Sequence, residues 1–285
     1  MAISRAQLVK ELEPGLNALF GLEYKRYENQ HAEIYVQESS DRAFEEEVML
    51  SGFANADVKG EGQGIAYDDA QETFTARYTN ETIALAFAIT EEAIEDNLYD
   101  RIASRYTKAL ARSMSNAKQV KAAAPLNNGL SSVATFKAGD TVSLFSTNHT
   151  TVSGTAVKNT LTTQADLNET SLEQGLIDIA GMTDERGLRV AARGMKMIVP
   201  SANQFAAERL MKSQGRTGTA DNDINAVVSM GMVPQGYRVN NFLTDTDSWY
   251  IITDVPNGMK MFQRAALKTA MEGDFDTGNV RYKAR

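Results

Sequence analysis

Residues 83–126 read IALAFAITEEAIEDNLYDRIASRYTKALARSMSNAKQVKAAAPL, and this stretch decides the fold. It begins with strand-like alternation at Ile83, Leu85, Phe87 and Ile89. It then becomes one long helical pattern. Thr90 is a candidate N-cap, and Glu91, Glu92, Glu95 and Asp96 lie where the helix dipole favours negative charge. Apolar residues recur at Ile94, Leu98, Ile102, Tyr106, Leu110, Met114 and Ala117, a stripe at helical spacing. No Gly or Pro interrupts the run before Pro125. At about 1.5 Å per residue such a helix spans roughly 45–50 Å, more than a compact domain of this length needs. The pattern therefore predicts a helix covered by more than its own globule.

Upstream, SGFANADVKGEGQGIAYDDA at 51–70 contains Gly52, Gly60, Gly62 and Gly64 and has no period that would bury a face. The following ETFTARYT alternates at Phe74, Ala76 and Tyr78. Together these predict a strand, a long glycine-rich excursion and a returning strand. Long connections without a core of their own are usually functional or disordered.

Three segments resemble the major capsid (head) proteins of tailed bacteriophages, most closely the Mu-like head subunits. ALAFAITEEAIEDNLYDRIASRYTKALARSM at 84–114 is similar to the start of their long "spine" helix. LFSTNHTTVSGTAVKN at 144–159 and MKMIVPSANQFAAERLMKS at 195–213 resemble two later elements, in the right order. The resemblance implies an α+β, Hong Kong 97-type phage capsid fold. Its parts are an N-terminal arm at 1–44, an extended loop at 45–82 and a peripheral domain with the spine helix at 83–125. An axial domain follows at 126–245, then strands returning to the peripheral domain at 246–285. It also implies self-assembly into hexamers and pentamers of an icosahedral shell around double-stranded DNA. An encapsulin-like compartment is the alternative with the same fold.

Composition agrees. The 285 residues are 42% hydrophobic and 23% charged, ordinary for a globular chain. The net charge of −8 argues against a sequence-reading nucleic-acid protein, which needs a basic face. An acidic shell would not adhere to the genome it encloses. There is no Cys, and no apolar run approaches the roughly 18 residues of a membrane span.

The reactive inventory is thin. His31 and His149 are the only histidines. Ser146 and His149 allow a remote hydrolase reading, but no Gly-x-Ser-x-Gly elbow accompanies them. GEGQG at 60–64 lacks the Gly-Lys-Ser/Thr ending of a phosphate loop. No catalytic, metal or cofactor site is assigned, and no cofactor is expected. The Met residues and the aromatics Phe205, Tyr237, Phe242, Trp249, Tyr250 and Phe262 read as core.

Other expectations are local. Residues 4–13 predict a short amphipathic helix ended by Pro14-Gly15, with a second apolar cluster at Leu16, Leu19, Phe20 and Leu22. Residues 31–40 read as a strand or arm. Ser171 with Gln174, and Ser201 with Gln204, predict capping boxes. Residues 214–223 read as a loop. Strands are expected at Tyr237–Leu243, Trp249–Thr253, Met259–Arg264 and Val280–Ala284, with Val255–Gly258 as a turn. Glu45–Glu47 predicts a solvated segment that could meet Arg101 or Arg105 of a neighbour.

Function is expected in self-association, through Leu8, Leu12, Leu19 and Phe20 of the arm, Lys59, Gly60, Gly62, Gln63 and Ile65 of the excursion, and Arg216. With Met1 read as the start, the 44 residues before the excursion leave no room for a built-in scaffold, so a separate scaffolding protein is expected, together with a portal. A decoration protein is compatible with this reading.

Overall fold

A computed structural model describes residues 5–90, 92, 99–131, 136–151, 153–216, 223–274 and 278–285; side chains of residues 5–12 and 99–102 are excluded. The first helix, α1 (Arg5–Arg26), runs straight through Pro14. The expected stop at Pro14-Gly15 is therefore corrected. Pro14 lies on the exposed side, where a carbonyl left without its donor can be hydrated. On the opposite side Leu16 and Phe20 are buried, and that burial outweighs a proline cost of about 3 kcal/mol.

A 3₁₀ turn (Gln30–Glu33) leads into β1 (Val36–Ser39), then β2 (Phe44–Leu50), β3 (Glu72–Thr79) and β4 (Leu85–Ile89). The long helix, α2, is described over Tyr99–Asn127 and includes Pro125. The Thr90 cap and the acidic first turn lie outside the described residues, apart from Glu92. Pro125 does not end the helix. In its last two turns, two carbonyls also accept from tyrosines: Tyr35 Oη donates to Ala122 O at 2.6 Å and Tyr250 Oη to Leu126 O at 3.0 Å.

The buried face of α2 comprises Ala103, Thr107, Leu110, Ala111, Met114, Ser115, Gln119, Ala122, Ala123 and Leu126. Leu110 and Met114 were expected there, but Tyr106 is 53% exposed. A strict four-residue ladder rotates about 40° per step around a 3.6-residue helix, so it drifts off the buried face.

Two cores are joined by this helix. Near its start, Leu110 and Met114 pack with Leu16 and Phe20 of α1, Ile89 of β4 and Tyr282 of β12 (Val280–Ala284). Here β12 lies between β4 and β11 (Thr269–Gly273), antiparallel to both. At its far end, Ala122 and Leu126 pack with Ile34, Tyr35, Ile198 and Leu243. The second core is built on β7 (Gly194–Val199), parallel to β8 (Tyr237–Val239) and antiparallel to β9 (Tyr250–Thr253). Two helices, α3 (Glu169–Ala180) and α4 (Gln204–Lys212), with the short α5 (Ala226–Ser229), cover this sheet through Leu172, Leu176, Ala207, Leu210 and Val227.

Several local expectations need correction. The cap of α3 is Asn168, and its capping-box partner is Ser171 at N3; Gln174 instead reaches Asp178. No side-chain cap opens α4, because a 3₁₀ turn (Ser201–Asn203) precedes it. The strand at Tyr237 stops at Val239. Asn257 has φ +59° in the expected turn, but the strands it connects do not pair. β9 joins β7, while β10 (Lys260–Gln263) runs parallel to β1. The chain thus leaves the β7 sheet after Thr253, not at residue 246. Phe205 is 68% exposed on α4 and is not core. Part of the 214–223 loop lies outside the described residues. Two-residue strands β5 (His149–Thr150) and β6 (Ala156–Val157) form a small hairpin.

Candidate functional site

The excursion is carried by an antiparallel ribbon, β2 with β3, registered from Phe44 opposite Thr79 to Leu50 opposite Glu72, with an irregularity between Val48 and Leu50. Strand alternation gives the ribbon two faces. On the outer one, Phe44 and Val48 are 43% and 46% exposed. The Arg77 guanidinium sits 4.5 Å from the Phe44 ring centroid, and its Nε donates to Glu46 at 2.7 Å.

The inner face anchors the ribbon. Glu45 accepts from Ser40 Oγ at 2.8 Å. Glu47 binds the Lys260 ammonium, which also lies 3.4 Å from Glu38. The Lys260 side chain is 12% exposed, and its hydrogen bond to Glu47 holds its pKa above the usual lysine value. Tyr78 packs on Phe262 at 5.0 Å and donates to Glu47 at 3.3 Å; burial, then the Glu47 charge, pushes its phenol up. The Glu45–Glu47 run is thus largely engaged within the chain, not a free solvated segment.

Ser51 closes the ribbon's far end. Its N–H donates to Gln71 O at 2.8 Å, and its Oγ accepts from Gln71 N at 2.9 Å. Every residue from 52 to 70 beyond this clasp is exposed. Near its ends the loop is held by Ala54 N–H, which donates to Asp68 at 2.7 Å, and by Arg186, which donates to Asp69 O at 2.7 Å. The first holds the Asp68 carboxyl below the ordinary carboxylate range.

Apolar side chains nevertheless crowd this loop: Val58 is 98% exposed, Tyr67 97%, Ile65 72% and Phe53 60%. Covering each would gain about 1.5–3 kcal/mol that the isolated subunit leaves unrealised. Only Ile65 of these was singled out from sequence. The signal for the others was present, since apolar residues in a glycine-rich stretch without period have no core to enter.

The remaining candidates divide. Gln63 N–H donates to Gly60 O at 3.2 Å, and Gly62 takes φ +79°, so Lys59–Gln63 form an exposed turn that needs glycine at 62. Arg216 Nε pairs with Glu169, the first residue of α3, at 3.1 Å. Leu19 is half-buried. Phe20 is 2% exposed, so its surface is used by the chain's own core and is not offered to a neighbour. The side chains of Leu8 and Leu12 lie outside the described residues.

Ser146 and His149 do not form a nucleophile–base pair. Ser146 Oγ accepts from Asn148 N–H at 3.0 Å, and His149 Nδ1 meets Asp140 at 2.7 Å. Among the described residues, no group of three or more His, Cys, Asp or Glu is arranged to hold a metal. None of their helices is long and apolar enough to cross a membrane.

A family model described as phage capsid protein matches residues 44–285. No curated protein matches significantly. Among solved structures, the capsid of bacteriophage JBD30 aligns with a TM-score of 0.55 at 13% identity, covering 75% of this chain and 90% of that one. The JBD30 procapsid gives 0.56 at 14% identity, covering 85% and 100%. A virus-like particle from Pyrococcus furiosus gives 0.51 at 10% identity, covering 95% and 90%. At such identities the structural likeness carries the fold, while the family match carries the kinship. Since that match runs from the first residue of the ribbon through the long helix and both cores, this chain belongs to the phage capsid protein family and has the Hong Kong 97-type fold.

Proposed function

We propose that this chain is a major capsid protein whose copies form the hexamers and pentamers of an icosahedral shell enclosing double-stranded DNA. The observation that supports this most is the loop at 52–70, which is apolar, acidic and supported by almost nothing in its own subunit. Laid across a neighbouring copy, it would bury Val58, Ile65 and Tyr67, and its backbone could add to a neighbour's sheet edge. Many such modest contacts made together give a lattice more stable than any one of them.

In this reading residues 1–44 are the arm, with Leu8, Leu12 and Leu19 meeting neighbours, and 45–82 the extended loop. The peripheral unit holds 83–125 and the strands after Thr253, and the axial unit lies between. Similarity of the three segments at 84–114, 144–159 and 195–213 favours the Mu-like branch. The family match is to phage capsids and does not favour the encapsulin-like alternative. A separate scaffolding protein and a portal belong to the same proposal, as does assembly in the host cytoplasm. One JBD30 capsid structure carries minor capsid protein trimers as decoration, and a decorating partner is proposed here by analogy.

Electron microscopy of the expressed protein, alone and with its genomic neighbours, tests the reading. Closed shells of uniform diameter are expected. A stable monomer under every condition would overturn it.

A further inference from the structure

The long helix carries a charge pattern that neither its packing nor the shell-building role explains. Over Tyr99–Asn127 it holds six Lys or Arg against a single acid, Asp100, within a chain of net charge −8. Arg105, Lys108 and Arg112 are spaced by three and four residues, so they share one face, and all three are exposed. None of them makes an ion pair or hydrogen bond with another described residue. Lys118 and Lys121 differ: the first is half-buried and the second pairs with Glu81.

Two ordinary explanations fail. Cations are favoured near a helix C-terminus, but that effect fades within the last turn, and Arg112 lies some four turns from Asn127. Solvated helix faces usually alternate acidic and basic residues at i,i+4, whereas here like charges sit at that spacing and repel. Among the described residues nothing offsets this repulsion, and an external polyanion would.

We infer that the exposed face of α2 around Arg105, Lys108 and Arg112 binds the phosphate backbone of duplex DNA without reading sequence. This rests on the proposal that the shell encloses DNA. The chain's own acidic ribbon is the weaker occupant, because Glu46 already pairs with Arg77 and Glu47 with Lys260, and the acidic loop at 52–70 of a neighbouring copy is the competitor that the poly-glutamate arm of the test below detects. The face suits phosphate instead. Its two arginines offer forked donors to phosphate oxygens, and Ser113 and Asn116, exposed on the same side, add neutral donors. This local basic face departs from the expectation, drawn from net charge alone, that an acidic shell does not adhere to its genome; the overall charge of −8 keeps each contact weak, so the genome is lined without being immobilised.

The test compares wild-type protein with the triple variant Arg105→Gln, Lys108→Gln, Arg112→Gln, which removes charge from exposed positions only. A second variant, Arg105→Lys with Arg112→Lys, keeps the charge. Shell formation is scored first by microscopy, so failure of the assembly reading is seen separately from failure of this one. Binding of a labelled random-sequence duplex is then followed by anisotropy as salt rises. Wild type is expected to lose roughly 40-fold in affinity between about 50 and 200 mM salt, the dependence for three released counterions. The glutamine variant should lose most of that slope while still forming shells, and the lysine variant should retain it. Equal binding by wild type and the glutamine variant would overturn the inference. So would binding of poly-glutamate in preference to the duplex, which would assign the face to an acidic protein.

Discussion

Lys260 on β10 grips Glu47 on β2, so one ammonium joins the base of the extended ribbon to the strand pair beneath it. The Lys260 side chain is 12% exposed, whereas that of Glu47 is 37% exposed. The buried partner is therefore the fixed point, and the ribbon is what moves if the pair is broken.

Lys260→Met keeps the aliphatic stem and removes the charge. The subunit should fold, because Glu47 can turn to water. Amide hydrogen exchange in residues 44–50 and 72–79 should quicken several-fold, while that of 194–199 stays unchanged. Equal protection of the ribbon in both proteins would show that Tyr78 on Phe262 anchors it without help.

The register of α2 is tested by two neighbouring positions. Leu110 is 4% exposed and Tyr106 53%. Leu110→Ala should cost about 2–5 kcal/mol in urea unfolding, and Leu110→Asp should prevent folding. Tyr106→Asp should fold, at a cost within about 1 kcal/mol. Similar losses at both positions would mean that the helix is covered on its outer face as well.

Gly129 marks the point where the chain leaves α2. A Cβ there would fall 2.4 Å from the Phe145 ring and 3.0 Å from Pro125 O. Backbone lies on one side and, on the other, a half-buried ring tilted against that of Tyr250 with centroids 5.3 Å apart. Gly129→Ala should therefore cost about 1–3 kcal/mol, and Phe145→Ala should restore part of it. A neutral Gly129→Ala would mean that the 144–159 segment is not seated against the helix end.

Alkaline stability should be set by buried phenols. Burial pushes Tyr35 far above its ordinary pKa, and it raises Tyr282, Tyr78 and Tyr250 in the same direction. A raised folded pKa gives a contribution that is complete below the unfolded value of about 10 and is lost as pH rises beyond it. Unfolding followed by circular dichroism should thus begin above about pH 10. Tyr35→Phe should move that transition upward, while costing about 1 kcal/mol at neutral pH for the lost bond to Ala122 O. A downward shift would contradict the assignment.

Much of this architecture was legible in the sequence, and the gaps have physical causes. The alternation at 280–284 gave β12 to the residue, and glycine density marked the loop. Pro14 was misread because a local breaker signal was weighed without the packing of Leu16 and Phe20 that overrides it. The same omission offered Phe20 as an assembly residue, since apolarity alone does not say whose core a side chain enters. Asn168 escaped notice because Ser171 fits the cap pattern equally well until the backbone shows where the helix starts. Strand partners were beyond reach: β10 pairs with β1, more than two hundred residues away in sequence, and period-2 alternation carries no information on pairing.

The loop at 52–70 is proposed to join copies while adding no side chain to its own subunit's core, its bond to the body being that from Arg186 to Asp69 O. Sedimentation velocity on a variant lacking residues 55–66, beside wild type under assembly conditions, tests it most directly. The account predicts that wild type sediments as closed shells, while the deletion variant sediments as a compact, folded small species with unchanged thermal unfolding. A deletion variant that unfolds, or that still sediments as shells, would contradict it.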